Sequence, residues 1–287
     1  KTIGIAYSLA LSELILAPVT PSNTARGGGI IHPIMRAIAG SYDSDPEKGT
    51  QGRMGRYLAL TNYHANPITS AMFITATAPN PLVVKLVADV TGAQIQLSWG
   101  QWALAALLPG LVALALMPLI IYWLNPPEIK STPNAAQFAR ERLRQLGPVT
   151  RGELVMLGVF GVLLLLWAGI PALVLGDAWG VDATTTAFIG LSLCLVTGVL
   201  TWEDVIKEKN AWDTIVWFGA LVMMATFLNR LGLIGWFAKS IETGIGSLGL
   251  GWMGASALLM LAYLYAHYAF ASTTAHITAM FAAFYGA

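Results

Sequence analysis

The chain has 287 residues, of which 56% are hydrophobic and 11% charged, with a formal net charge of +1. Soluble domains carry about 25% charged residues, so this balance, with a mean hydropathy of +0.64, excludes a soluble globular fold, while the net charge itself says nothing about nucleic acid, which is not an expected partner. What remains is an all-α polytopic integral membrane protein. Ten tryptophans, nine tyrosines and 29 glycines suit that class, since aromatic rings favour bilayer interfaces and glycine is frequent in membrane helices. Cys194, the single cysteine, sits in the apolar run AFIGLSLCLVTGVL and reads as a small buried residue, with no disulfide or cysteine metal site open to the chain. The chain opens at Lys1 and closes at Ala287 inside an apolar run, without a visible signal peptide, so it reads as an internal stretch of a longer protein.

A spanning helix needs about 20 mostly apolar residues, roughly 30 Å long. The polar stretch PSNTARGGG (21–29) lies between ALSELILAPV and IIHPIMRAIAG, each about half that length. Together they suit a hairpin that enters and leaves the bilayer on one side. Non-helical backbone at membrane depth is tolerated where it is buried in protein or faces water, so the tip is a candidate site. Residues 57–92 hold a span interrupted at TATAPNP, because Pro79 and Pro81 lack an N–H and disfavour helix in the preceding residue. Residues 98–124, 154–175, 183–200 and 213–231 pass as spans, with an amphipathic surface helix at 134–147 and either a second one or a solvated loop at 235–246. Lys48, Arg53 and Arg56 mark 41–56 as cytoplasmic, Lys130, Arg140, Arg142, Arg144 and Arg151 mark 125–153, and Lys207 and Lys209 mark 201–212; the connections 91–97 and 171–182 carry no Lys or Arg.

Near the end, Ser272-Thr273-Thr274-Ala275-His276 again interrupts apolar sequence and aligns with Ser22-Asn23-Thr24-Ala25-Arg26, both closing on a basic residue. Paired interrupted segments in two inverted halves point to the binding site of a secondary transporter. An enzyme would need a nucleophile or metal motif, and neither HExxH, a paired acidic cluster nor GxSxG occurs. A pore is the other rival, and it would pass current without a counter-substrate.

SNTARGGGIIHPI, TATAPNP and HYAFASTTAHITAMFAAFY, in this order along essentially the whole chain, resemble the divalent anion/sodium symporter family, in particular its exchanger branch of bacterial anion permeases and plastid 2-oxoglutarate/malate translocators. The resemblance implies inverted repeats with two re-entrant hairpins, a homodimer, and an elevator mechanism that carries di- or tricarboxylates. The membrane implied is the bacterial inner membrane or the plastid inner envelope. The implied transport domain takes in the first hairpin (1–40), the broken helix with its following span (41–124) and a truncated second hairpin (247–287). The cytoplasmic loop (125–153) and scaffold-type helices (154–246) lie between. By resemblance Ser22, Asn23 and Thr24 hold one substrate carboxylate, Ser272, Thr273 and Thr274 the other, and Thr77, Pro79 and Asn80 complete the first site.

Hydroxyl, amide and short-helix N–H donors suit a carboxylate in a membrane. An isolated SNT would otherwise be a helix cap, and Gly27 to Gly29 would serve either as a flexible turn or to let substrate approach the backbone. Sodium-coupled members have Asn in both motifs; Thr273 lacks the amide oxygen that suits a hard cation. Arg26 and His276 then stand as charge-compensating groups in place of sodium, uncompensated until substrate binds. The expectation is sodium-independent exchange with no cofactor. The alternative is sodium symport, with Ser22, Asn23 and Ala76 as ligands. Glu13, Asn62, His64, Asn66 and His267 read as polar pairs between helices, and Lys85 and Asp89 as reaching an interface.

Overall fold

The computed structural model describes residues 1–133, 135–270 and 272–286. The side chains of residues 138, 142, 210, 225 and 229 lie outside that description, so Arg142 of the expected cytoplasmic cluster is among the undescribed groups. All regular structure among the described residues is helical. Along the chain run α1 (Thr2–Leu16), α2 (His32–Gly40), α3 (Gly55–Met72), α4 (Pro79–Val90), α5 (Trp99–Leu124), α6 (Ala135–Leu146), α7 (Arg151–Trp167) and α8 (Ile170–Leu175). They are followed by α9 (Ala183–Val196), α10 (Trp202–Lys207), α11 (Lys209–Arg230), α12 (Leu233–Gly246), α13 (Trp252–Ala266), α14 (Thr273–His276) and α15 (Ala282–Tyr285).

The chain divides into two compact units, Lys1–Thr77 with Ser98–Thr201, and Ala78–Leu97 with Trp202–Ala287. In the first, Tyr57, Leu58 and Ala65 of α3 share a core with Leu114, Met117 and Ile121 of α5, whose three-and-four spacing puts them on one helix face. The helices meet closely at Gly110, where a Cβ would stand 2.5 Å from the Met72 sulfur. The Tyr57 hydroxyl donates to the Pro118 carbonyl at 3.1 Å and so leaves no unmet donor in that contact. The buried stripe of α1 is Ala6, Leu9, Ala10 and then Glu13, a carboxylate where the periodicity calls for an apolar residue.

Among the described residues two helices are long and apolar enough to cross a bilayer, Trp99–Leu124 and Ala211–Leu228 within α11, or three if the bent pair α6–α7 counts as one span. The outer face of α5 is apolar too, with Leu104, Leu108 and Trp123 exposed, as hydrocarbon contact requires. The expected span 183–200 is shorter: α9 stops at Val196, where Gly198 takes φ 74°. There the Val199 N–H donates to Cys194 and the Gly198 N–H to Leu195, a left-handed glycine stop that satisfies the last carbonyls. Likewise 154–175 is broken between α7 and α8 by Gly169 at φ 70°, with Pro171 starting the next turn. Cys194 is buried as expected, 3.8 Å from the Met156 sulfur. The amphipathic segment forms α6, bent by 106° from α7, and its first expected residue, Asn134, lies outside the described residues.

In the second unit, Leu82 and Leu86 of α4, Ile234 of α12 and Ala282 and Ala283 of α15 form a core flanked by Phe218 and Val222 of α11. Segment 235–246 is thus helical rather than looped, with Ala238 buried against this core side. Lys85 and Asp89 are exposed on α4.

Candidate functional site

The two polar tips have the same local conformation. The Ser22 hydroxyl accepts from the Ala25 N–H at 3.2 Å and the Ser272 hydroxyl from the Ala275 N–H at 3.1 Å. The serine carbonyls receive the N–H groups of Arg26 and His276 at 3.0 and 3.1 Å. Each chain then widens into a π-helical turn, Ala25–Ile31 and Ile277–Phe281, before α2 and α15. Both serines are therefore helix caps, the role an isolated SNT suggests, and their hydroxyls are already engaged as acceptors.

Arg26 does not point into open space. It is fully buried, and its Nε donates to Glu13 Oε1 at 2.7 Å across an equally buried ion pair. Nη1 donates to the carbonyls of Thr20 at 2.9 Å and Ala76 at 3.0 Å, and Nη2 to Ser70 Oγ at 2.7 Å and Thr69 Oγ1 at 3.5 Å. All five guanidinium N–H groups are used. The expectation that Arg26 stays uncompensated is corrected here: Glu13 balances its charge, as a buried guanidinium requires.

The same Glu13 oxygen accepts from Asn66 Nδ2 at 2.6 Å, and Asn66 also donates to the Asn23 carbonyl at 2.9 Å. One turn earlier on α3, Asn62 donates to the Gly27 carbonyl at 3.2 Å. These two asparagines, four residues apart on one helix face, pin the first tip. Gly27 is where the contact is tightest, since a Cβ there would stand 2.7 Å from Asn66 Nδ2. Gly28 and Gly29 have no such neighbour, and within the π-turn none of the three glycines takes a left-handed φ. Beside this contact opens a cavity of about 680 Å³, within the range that holds small-molecule ligands. Asn23, Thr24 and Gly28 form its tip side and Asn62, Tyr63 and Asn66 its α3 side.

Helix α3 ends at Met72, earlier than the prolines alone suggest, because Phe73 and Thr77 are extended on either side of a single tight turn, Ile74–Ala76. The Thr75 hydroxyl donates to the Pro18 carbonyl at 2.6 Å and accepts from Trp99 Nε1 at 3.1 Å, which ties the break to the first hairpin and to α5. Pro79 and Asn80 follow in the second unit, buried at the start of α4. That helix packs on Ile277–Phe281 and α15.

At the second tip Ser272 and Thr273 are exposed and Thr274 is half-buried. His276 is buried, stacked on Tyr263 with ring centroids 4.2 Å apart. Its Nδ1 lies 3.3 Å from His267 Nδ1. One nitrogen must donate and the other accept, so at least one of the two rings is neutral. The pairing read for His267 is present, whereas among the described residues His64 bonds the Leu60 carbonyl of its own helix, at 2.8 Å.

Residues 1–287 match the model of the family described as the sodium:sulfate symporter transmembrane region. Among curated proteins, YflS of Bacillus subtilis, provisionally named a malate transporter, is 50% identical over 99% of this chain and 57% of its own length. The chloroplastic dicarboxylate transporter 1 of Spinacia oleracea is 45% identical over 99% of this chain and 48% of its own length. The inner membrane protein YbhI of Escherichia coli is 38% identical over 99% and 57%. The chain spans about half the length of these relatives. It belongs to the sodium:sulfate symporter transmembrane family, a family of membrane transporters and not of enzymes, and the one its three motifs resemble.

Proposed function

We propose that this chain forms the substrate-binding part of a carrier that exchanges one di- or tricarboxylate for another without sodium. The carrying observation is the Arg26 Nη1 contact to the Ala76 carbonyl at 3.0 Å. Ala76 is one of three residues that a sodium ion at the first tip would use, and its oxygen is already engaged by a fixed cation. In this reading Asn23 and Thr24 offer donors to a substrate carboxylate in the cavity beside α3 of the first unit, and Thr273 and Thr274 are the carboxylate donors of the second. Ser22 and Ser272 shape the tips as caps. The shared cap and π-turn support reading the tips as halves of an inverted repeat of re-entrant hairpins, in a homodimer that works by an elevator cycle. The names of the chloroplast and Bacillus relatives support the carboxylate class.

With Arg26 already paired, an unbalanced cation is not what holds the empty carrier back. That barrier falls to the unfilled donors of the tips, which are costly to carry through the bilayer without substrate. The complete protein in proteoliposomes tests the proposal by uptake with and without internal dicarboxylate, at zero and at high sodium. Uptake that needs internal substrate and ignores sodium is the expected result. Strict sodium dependence without any need for internal substrate points to sodium symport and refutes it.

A further inference from the structure

We propose that Glu13 sets the net charge of the first tip, and through it the valence of the anion that the tip accepts. The inference rests on the reading of that tip as a substrate site. Glu13 continues the buried α1 stripe of Ala6, Leu9 and Ala10. Both its side chain and that of Arg26 are withdrawn from solvent at 0% exposure, 2.7 Å apart. Such a pair is rarely a net source of stability compared with apolar packing, so stability alone does not account for it.

Two further observations connect the carboxylate to the cavity. Its Oε1 holds Asn66, which in turn holds the Asn23 carbonyl at the cavity wall. Its Oε2 is buried and has no hydrogen-bond partner among the described residues. With both Glu13 and Arg26 present the tip is neutral, and a substrate carboxylate is gripped by hydrogen-bond donors alone. Each added negative charge on the substrate then meets no fixed cation. Removing the Glu13 charge leaves the tip at plus one. At about 10 Å and an effective dielectric constant near 20, one unit charge changes the preference for a trianion over a dianion by roughly tenfold.

The test compares half-saturation for citrate and for succinate in counterflow at alkaline pH, where citrate is a trianion. E13Q is expected to shift the citrate-to-succinate preference roughly tenfold toward citrate. The double variant E13Q/R26Q, neutral again, is expected to return that ratio to within about twofold of wild type, whatever its rate. A purely structural role scales both substrates together, so an unchanged ratio in E13Q, or a shift that persists in the double variant, overturns the proposal.

If E13Q does not fold, the wild-type protein still decides. A neutral tip takes citrate in its dianionic form, so citrate uptake must fall as pH rises through the last ionisation of citrate while succinate uptake stays level. Citrate uptake that does not fall overturns the proposal. Sodium-dependent wild-type uptake would sink the exchange reading instead, which keeps the two failures apart.

Discussion

Gly27→Ala is the sharpest probe of how the first tip is held. The new Cβ would stand 2.7 Å from Asn66 Nδ2 and 3.0 Å from its Cγ, well inside van der Waals contact. Asn66 is not free to swing, because Nδ2 is fixed to Glu13 Oε1 at 2.6 Å and to the Asn23 carbonyl at 2.9 Å. Moving it loses one charge-assisted and one neutral hydrogen bond, together about 2–4 kcal/mol. If the tip shifts instead, the Asn62 bond to the Gly27 carbonyl is strained as well. Expressed wholly in substrate binding, that is a rise in KM of roughly 30- to 700-fold; whatever is not seen there appears as a lower unfolding midpoint. Counterflow KM and thermal unfolding in detergent measure the two parts. Gly29→Ala is the control, since its Cβ meets nothing within 4 Å. Adding G27A to Asn66→Ala should cost nothing further, because the clash has gone. A G27A protein as healthy as G29A, or costs of G27A and N66A that simply add, would refute the argument.

Two other perturbations test the scaffold. At Gly190, a Cβ would stand 2.7 and 2.9 Å from the two Leu163 methyls, so Gly190→Ala should destabilise the α7–α9 contact by about 1–3 kcal/mol, whereas Gly161→Ala, with open space around it, should be neutral or slightly stabilising in the same unfolding assay. Asp182 caps α9, and the Thr185 hydroxyl, followed by the Thr185 and Thr184 N–H groups, holds its carboxyl below the usual carboxylate range. Its folded value is depressed, so its contribution is complete above the unfolded value and is lost as pH falls through the folded one; Asp182→Asn should remove that acid-side step from the unfolding profile.

Local signals in the sequence read well, and pairings that need the fold did not. The tips stood out because Ser22 and Ser272 interrupt apolar sequence, and a break near residue 79 because Pro79 and Pro81 disfavour helix before them, although both prolines begin α4 and α3 has already ended at Met72. Gly169 with Pro171, and Gly198, were equally local signals for helix ends; apolar length masked them, since hydropathy does not register a left-handed glycine. Glu13 and Asn66 were legible as polar residues in apolar sequence. Their partners were not, because the hairpin has to close before residue 13 meets residue 26, and the register of α3 decides which asparagine face it presents.

A π-turn is an α-helix carrying one residue more than its hydrogen-bond ladder needs. Both tips hold such a surplus in the same place, ending at Ile31 and at Phe281. Relaxing one to α geometry would advance the preceding segment by about 1.5 Å and turn it by about 100°, which at the first tip would break the Asn66 bond to the Asn23 carbonyl. At the first tip the surplus is held under constraint, since Arg26 and Gly27 within the π-turn are tied to Glu13 and Asn62.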